Sequence, residues 1–201
     1  MSGLILFDID GVLFDPEKFG KLIRAEFVKV LNISEEELIR ANADYYSELE
    51  SSTDFDPHDI AAYIAARFKT EPEVLDRVFW ENDEIYKGSI FQDVEESLKK
   101  LSHSHILGIF SQGNEDLQKR KLEAGGVKKY FKDDQVFIQT RKLSDEAIEL
   151  LPREATVIDN KHDVVSALSK FVNVIWLNRK TEDSDPQIKT IHSLRELITD
   201  S

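Results

Sequence analysis

The sequence predicts an α/β fold: a parallel sheet with helices on both faces, and a helical subdomain inserted after the first strand. Two observations predict the sheet. Short apolar runs alternate with helix-length amphipathic stretches in the second half of the chain, and strands that alternate with helices pair in parallel. A third observation predicts the insertion, because the chain from Pro16 to about Gly88 carries helix signals and no convincing strand. The length of 201 residues suits one core with an inserted piece.

Five apolar runs are predicted to be strands, because each is rich in Ile, Val, Leu or Phe and is bounded by polar residues or glycine. They are residues 4–7, 105–110, 135–138, 155–158 and 173–177. Amphipathic stretches are predicted to be helices at residues 94–101, 115–124, 145–151, 164–169 and 191–198. Gly125 and Gly126 are expected to end the second of these helices.

Four helices are predicted in the inserted segment from their start signals. Proline in the first turn starts the first and third, at Asp15-Pro16 and Asp56-Pro57. Residues 34–37 and 70–73 each match a capping box and start the second and fourth, and residues 51–54 are predicted to be a loop. The predicted division is therefore a core of residues 1–15 and 89–201 and a helical subdomain of residues 16–88.

The composition excludes several classes of function. The chain has 26 Lys and Arg against 39 Asp and Glu, a formal charge of −13, whereas general binders of nucleic acid or anionic membranes need positive charge. The absence of Cys excludes disulfides, thiolate metal sites and a Cys nucleophile. No apolar run approaches the roughly 18–20 residues that span a bilayer, and the first four residues lack the basic region of a secretory signal. We expect a cytoplasmic protein that binds neither nucleic acid nor membranes.

Two carboxylates follow the first strand. Asp8 and Asp10 are two residues apart, so their side chains leave the strand on the same face, beyond its carboxyl end. Two unit charges about 4 Å apart repel by roughly 4 kcal/mol at an effective dielectric constant of 20. Such a pair therefore needs a cation or a proton, unless the two residues only cap turns.

A hydroxyl and a turn follow the second strand. Ser111 ends the run that begins at Ile106, and the turn Gln112-Gly113-Asn114 leads into a helix. A hydroxyl, turn N–H groups and a helix N-terminus together favour a bound anion such as phosphate. The alternative is a plain strand-to-helix turn in which Ser111 satisfies the backbone.

These residues resemble a known family. The run from Asp8 to Leu13, Asp-Ile-Asp-Gly-Val-Leu, is similar to the first motif of the haloacid dehalogenase (HAD) superfamily of phosphatases and phosphotransferases, and three further motifs follow in order. The resemblance covers nearly the whole chain. It implies a Rossmann-like core with a helical cap, of the kind found in the phosphoglycolate phosphatase and β-phosphoglucomutase branch.

The resemblance also implies roles for particular residues. Asp8 corresponds to the nucleophile and Asp10 to the general acid and base. Lys142, with Arg141 as the rival, corresponds to the lysine that neutralises nucleophile and phosphate. Ser111, Gln112, Gly113 and Lys142 are the implied phosphate-binding residues, and Asp8, Asp10, Asp159 and Asp163 the implied Mg²⁺ ligands.

The function implied is a Mg²⁺-dependent phosphatase that hydrolyses a small phosphorylated metabolite through an aspartyl-phosphate. A phosphomutase of the same fold and a non-catalytic binding protein are the alternatives. Dehalogenases of the superfamily lack an acid at the position of Asp10 and need no metal, so the presence of Asp10 argues against dehalogenation. The sequence identifies neither the substrate nor the oligomeric state.

Overall fold

The computed structural model describes residues 3–49 and 55–199, so the predicted loop at residues 51–54 lies outside the described residues. Six strands are present in this part of the chain: β1 (Leu4–Phe7), β2 (Ile106–Gln112), β3 (Val136–Gln139), β4 (Thr156–Asp159), β5 (Asn173–Leu177) and β6 (Thr190–Ile191). They form one sheet in the order β3-β2-β1-β4-β5-β6, and every neighbouring pair is parallel. The predicted α/β fold with a parallel sheet is confirmed.

Ten α-helices accompany the sheet in the described residues: α1 (Pro16–Leu31), α2 (Glu35–Glu48), α3 (Pro57–Phe68), α4 (Pro72–Trp80), α5 (Asp83–Ser89), α6 (Val94–Leu101), α7 (Glu115–Ala124), α8 (Asp145–Glu149), α9 (His162–Leu168) and α10 (Glu196–Thr199). The helix predicted over residues 191–198 is wrong in its first half: Ile191 ends β6, which pairs with β5, and residues 192–195 are not helical. A strand of two residues has no periodicity of its own, so only its partner reveals it.

The inserted segment holds five helices between β1 and β2 rather than four, since α5 has only seven residues and was too short to show a helical pattern. The capping box at Ser34 is present, with reciprocal bonds between Ser34 and Glu37. The capping box predicted at residues 70–73 is wrong. Glu71 is the N-cap of α4 and its side chain makes no capping bond, while Pro72 occupies the first turn.

The chain divides into two compact units. The first comprises residues 1–15, 90–112 and 126–201 and contains the sheet, and the second comprises residues 16–89 and 113–125. The sequence predicts residues 113–125 to be part of the core, but α7 packs against α5 within the second unit. We call these the sheet unit and the helical unit. None of the described helices is long and apolar enough to cross a membrane.

Each unit has its own core. In the sheet unit, buried side chains of three central strands, Leu6, Phe110 and Val157, pack with residues of α8 and α9. In the helical unit, aromatic rings hold α1 against its neighbours: Phe19 lies 5.1 Å from Tyr86 and Phe27 lies 5.7 Å from Phe79, measured between ring centroids. Close packing of the sheet unit fixes the positions of the strand ends, where Asp8, Ser111 and Asp159 are found.

Candidate active site

The strand order brings the predicted residues to one edge of the sheet. The chain runs outward from β1 through β2 to β3, and then returns to the other side of β1 for β4. Ligands of open α/β sheets bind beyond the carboxyl ends of the strands at such a switch point. Phe7 pairs with Ile109 of β2 and with Ile158 of β4, so Asp8, Ser111 and Asp159 follow at adjoining strand ends.

Asp8 is the centre of the site. Its backbone N–H donates to the carbonyl oxygen of Ile158 at 2.9 Å, which continues the sheet pairing beyond β1. Its side chain is buried, with 6% of the residue exposed. Oδ1 of Asp8 accepts a hydrogen bond from the fully buried hydroxyl of Ser111 at 2.7 Å and contacts the Lys142 ammonium at 3.0 Å. All the side-chain contacts described for Asp8 therefore fall on one of its two oxygens.

Lys142 joins the two carboxylates. Its Nζ donates to Oδ2 of Asp159 at 2.6 Å and lies 3.0 Å from Asp8, and only 3% of the residue is exposed. The backbone N–H of Lys142 donates to Oε1 of Gln112 at 3.0 Å, which ties the turn after β3 to the end of β2. Arg141, the rival in the sequence analysis, is exposed. It is thus Lys142 whose charge faces the two carboxylates.

The electrostatics of the site are dominated by negative charge. Burial raises the pKa of Asp8 above its ordinary value, and the charges of Asp159 and Asp10 add to this rise, while Lys142 and Ser111 oppose it. Burial alone would lower the pKa of Lys142, but the charges of Asp8 and Asp159 outweigh it, so the pKa of Lys142 is raised. Lys142 is therefore a buried ammonium, and the carboxylates of Asp8 and Asp159 share it.

Asp10 lies in a tightly wound loop. The N–H groups of Val12, Leu13 and Phe14 all donate to the carbonyl oxygen of Ile9. Gly11 has a φ of +82°, a left-handed conformation that L side chains rarely adopt. Asp10 is half-buried, and its charge reaches Asp8.

The other predicted site residues lie in different surroundings. Gly113 follows β2 directly with a φ of +136°, and its contacts assign it to the helical unit. Asp163 is exposed in the first turn of α9, and none of the described hydrogen bonds or ion pairs joins it to Asp8, Lys142 or Asp159. The structure thus brings together Asp8, Ser111, Lys142 and Asp159, with Gln112 beside them, and leaves Asp163 apart from this group.

The residues at the site fit a hard divalent cation. Asp8 and Asp159 are buried carboxylates that share one ammonium, so one negative charge of the three groups is not compensated. Within the described ranges no three His, Cys, Asp or Glu side chains form a group that could hold a metal by themselves. Mg²⁺ commonly takes one or two carboxylates and completes its octahedral shell with other oxygens and retained water, which suits this donor set.

Two features were missed by sequence reasoning. The first is Asn160, whose side chain packs on Gly11 and whose Oδ1 is buried without a hydrogen-bond partner. The second is Arg179, which holds the carboxylate of Asp93 with two bonds of 3.0 Å and donates to the carbonyl oxygen of Val12 at 2.9 Å. This contact anchors the loop that carries Asp10 to the segment after β5. Spacing along the chain gives no signal for it, because Arg179 and Val12 are far apart in sequence.

Comparisons with known proteins identify the family and the fold. A family profile described as haloacid dehalogenase-like hydrolase matches residues 5–177. No curated protein matches the chain in sequence. Among solved structures, the HAD-hydrolase YfnB from Bacillus subtilis, bound to magnesium, is similar with a TM-score of 0.66 and 15% identity, over 98% of this chain and 97% of that chain.

Two further structures differ in their chemistry. A HAD phosphatase from Thermococcus onnurineus has a TM-score of 0.59 and 21% identity, over 99% of this chain and 97% of that chain. An L-2-haloacid dehalogenase from Xanthobacter autotrophicus has a TM-score of 0.59 and 14% identity, over 98% and 97% of the two chains. At such identities the likeness concerns the fold. Because the family profile covers most of the sequence, the chain belongs to the haloacid dehalogenase-like hydrolases, a family of enzymes that act on small substrates.

Proposed function

We propose that the protein is a Mg²⁺-dependent phosphatase that hydrolyses a small phosphorylated metabolite through a phosphoryl group carried on Asp8. The observation that carries the proposal is the Asp8 carboxylate, held between the hydroxyl of Ser111 and the ammonium of Lys142. Asp159 faces the same ammonium, and Asp10 follows Asp8 by two residues. This set contains a nucleophile, its positioning groups, a second acid and a source of positive charge.

In the first step, a carboxylate oxygen of Asp8 attacks phosphorus, and the bond from phosphorus to the ester oxygen breaks. Asp10 donates its proton to the leaving oxygen, so an alcohol is released and Asp10 becomes a carboxylate. Ser111 and Lys142 restrain the attacking carboxylate in position, which lowers the entropic part of the barrier. A phosphate monoester carries up to two negative charges near pH 7, so an anionic attack needs charge compensation.

In the second step, Asp10 takes a proton from water, and the water oxygen attacks the phosphorus of the aspartyl-phosphate. The bond between phosphorus and Asp8 breaks, inorganic phosphate is released, and Asp10 is protonated again for the next turnover. Lys142 stabilises the negative charge of the phosphoryl group in both steps, together with Gln112. Mg²⁺ held by Asp8, Asp159 and the Asp10 carbonyl would supply positive charge that favours ionised Asp8 and polarises the phosphoryl group.

The choice of substrate is assigned to the helical unit. The resemblance to the family implies that residues 16–88, by their place in the sequence, are a helical cap that selects the substrate. Asp163 has a lesser part in the proposal, since it is exposed and lies apart from the Asp8 group. The magnesium-bound hydrolase and the HAD phosphatase among the similar structures support this reaction class.

A panel of phosphate monoesters, assayed with Mg²⁺ and with EDTA, tests the proposal. We expect turnover of at least one ester with Mg²⁺, loss of turnover with EDTA, and loss of turnover in Asp8→Asn. Asp134→Asn makes the same change of charge at an exposed position and should keep full activity. The panel includes 2-haloacids, because a dehalogenase is among the similar structures.

Three results would contradict the proposal. Halide release from a 2-haloacid without phosphate release would assign the protein to the dehalogenases. Activity that requires a bisphosphorylated sugar and yields an isomeric sugar phosphate would assign it to the phosphomutases. Failure to hydrolyse any ester, including generic aryl phosphates, would indicate a binding protein without catalytic activity.

A further inference from the structure

A buried ion pair in the sheet unit joins three segments of the chain. Arg179 follows β5 and binds both carboxylate oxygens of Asp93, Nη1 to Oδ2 and Nη2 to Oδ1, at 3.0 Å each. Nη2 also donates to the carbonyl oxygen of Val12 at 2.9 Å. Cζ of the guanidinium lies 4.2 Å from the centroid of the Phe91 ring. The segment after β5, the loop after β1 and the segment before α6 therefore meet at one side chain.

The carboxylate of Asp93 is fixed by other donors as well. Its Oδ2 accepts hydrogen bonds from the hydroxyl of Ser193 at 2.7 Å and from the N–H of Leu194 at 2.8 Å. Asp93 precedes α6 but makes no capping bond with its side chain, so the carboxylate serves these contacts instead. Only 16% of the Arg179 side chain and 7% of the Asp93 side chain are exposed. A planar guanidinium that binds both oxygens of a fixed carboxylate is held in one orientation.

The carbonyl group of Val12 belongs to the loop that carries Asp10. The next carbonyl oxygen, that of Leu13, accepts a hydrogen bond from the N–H of Phe91 at 3.1 Å. Before Asp10, the backbone is fixed by the pairing of β1 with β4. After Asp10, it is fixed by Arg179 and Phe91, which contact each other. The position of the Asp10 backbone therefore depends on the ion pair.

We infer that Arg179 is a positioning residue for Asp10. Its bond to the Val12 carbonyl keeps the Asp10 carboxyl where a proton can pass to the ester oxygen as the bond from phosphorus to that oxygen breaks. The inference rests on the proposed function, in which Asp10 is the general acid, and adds a residue to it. A general acid must lie within hydrogen-bond reach of the atom that it protonates, so a small displacement of its backbone slows that step. Arg179 acts only through the backbone of the loop.

Two esters with different leaving groups separate the positioning of the acid from a general loss of structure. An alkyl phosphate needs a proton on its leaving oxygen, whereas para-nitrophenyl phosphate releases a stable phenolate without one. We compare kcat/KM, which reports the steps up to release of the leaving group. Arg179→Met should lower kcat/KM about tenfold or more for an alkyl ester that the wild type hydrolyses, and less than about threefold for the nitrophenyl ester. Arg195→Met, which removes an exposed ion pair, should match the wild type for both esters.

The comparison is made between folded proteins. If Arg179→Met does not fold, Arg179→Lys takes its place in each measurement. Lysine keeps a positive charge beside Asp93 and lacks the planar fork that reaches Asp93 and Val12 together. An equal loss of kcat/KM for the two esters would show a general structural role and would overturn the inference. Unchanged values for both esters would also overturn it.

Amide hydrogen exchange, followed by NMR, examines the loop without a substrate. The N–H groups of residues 12–14 all donate to the carbonyl oxygen of Ile9. In Arg179→Met these amides should exchange about tenfold faster, and the amides of β3 should change less. Unchanged exchange of residues 12–14 would overturn the inference, whatever the protein hydrolyses.

The outcome for the proposed function is read separately. If exchange in the loop depends on Arg179 but the wild type hydrolyses no phosphate ester, the positioning of Asp10 by Arg179 stands and the phosphatase proposal fails. If esters are hydrolysed and Arg179→Met changes neither the exchange nor the preference between leaving groups, the inference fails and the phosphatase proposal stands.

Discussion

Replacement of Lys142 by methionine tests whether the ammonium holds the site together. Methionine keeps an unbranched apolar stem of similar length and removes the charge, so packing beside Phe110 is retained while the two contacts to carboxylates are lost. The carboxylates of Asp8 and Asp159 are then left buried without their shared cation. We expect the metal-free variant to be much less stable than the wild type at pH 7.

The magnitude follows from the two distances. Unit charges at 3.0 Å and 2.6 Å attract by about 6 kcal/mol each at an effective dielectric constant of 20. Withdrawal of an ammonium from water offsets several kcal/mol of this sum. Removal of one partner from a buried ion pair typically costs about 3–5 kcal/mol, and we expect a loss in this range from the free energy of unfolding.

The dependence on pH has a definite sign. Without Lys142, burial and the charges of Asp159 and Asp10 raise the pKa of Asp8 with only Ser111 to oppose them. A carboxyl whose pKa is raised in the folded state loses stability as the pH rises through that pKa. The difference between variant and wild type should therefore be largest at pH 7–8 and should shrink as the pH falls toward the ordinary value of 3.8.

Urea unfolding of metal-free protein, followed by circular dichroism, measures these differences. Lys128→Met is the matched control, because Lys128 pairs with the exposed Asp133, and such surface pairs contribute about 0–1 kcal/mol. Mg²⁺ should restore part of the stability of Lys142→Met, since it returns positive charge to the same carboxylates. A variant as stable as the control at pH 7 would refute the electrostatic account of the site.

Two further predictions concern stability elsewhere. Burial raises the pKa of Asp93, but hydrogen bonds and the charge of Arg179 outweigh burial and hold this pKa below its ordinary value. Arg179→Met should therefore lower the free energy of unfolding by about 3 kcal/mol at pH 7. This loss of stability should disappear as the pH falls below 3.8, where Asp93 takes up a proton. The control is Arg195→Met, which removes an exposed ion pair and should change the stability to urea little at either pH. Ser34→Ala should lower stability by about 1 kcal/mol through loss of the α2 cap. Thr70→Ala should be nearly neutral, since α4 has no side-chain cap; equal thermal unfolding of these two alanine variants would contradict the observed caps.

Much of the fold could be predicted from the sequence, because the main strands can be recognised without knowledge of their neighbours. β1 and β5 match their predicted bounds, and each is a run of apolar residues long enough to be recognised. The predicted bounds of β2, β3 and β4 differ from the observed ones by only one or two residues. By contrast β6 and α5 were missed, since an edge strand of two residues and a helix of seven depend on their neighbours for stability.

The site residues that lie at the ends of strands could be predicted from the sequence. Asp8, Ser111 and Asp159 lie at the carboxyl ends of adjoining parallel strands, so a correct sheet places them together. Lys142 comes from a turn, where spacing alone cannot decide between it and Arg141.

The remaining contacts needed the folded chain. Arg179 binds Asp93, which lies 86 positions away in the sequence, and no periodic pattern predicts such a pair. Asn160 carries no charge, and its contact with Gly11 is visible only in the folded chain.

The central claim is that Asp8 becomes covalently phosphorylated during turnover. Rapid acid quench of the enzyme with an ester that it hydrolyses, followed by peptide mass spectrometry, tests this claim directly. The account predicts one phosphoryl group on the peptide that contains Asp8, lost on treatment with hydroxylamine and absent in Asp8→Asn. Steady hydrolysis with no phosphorylated peptide, or with the phosphoryl group on another residue, would contradict it.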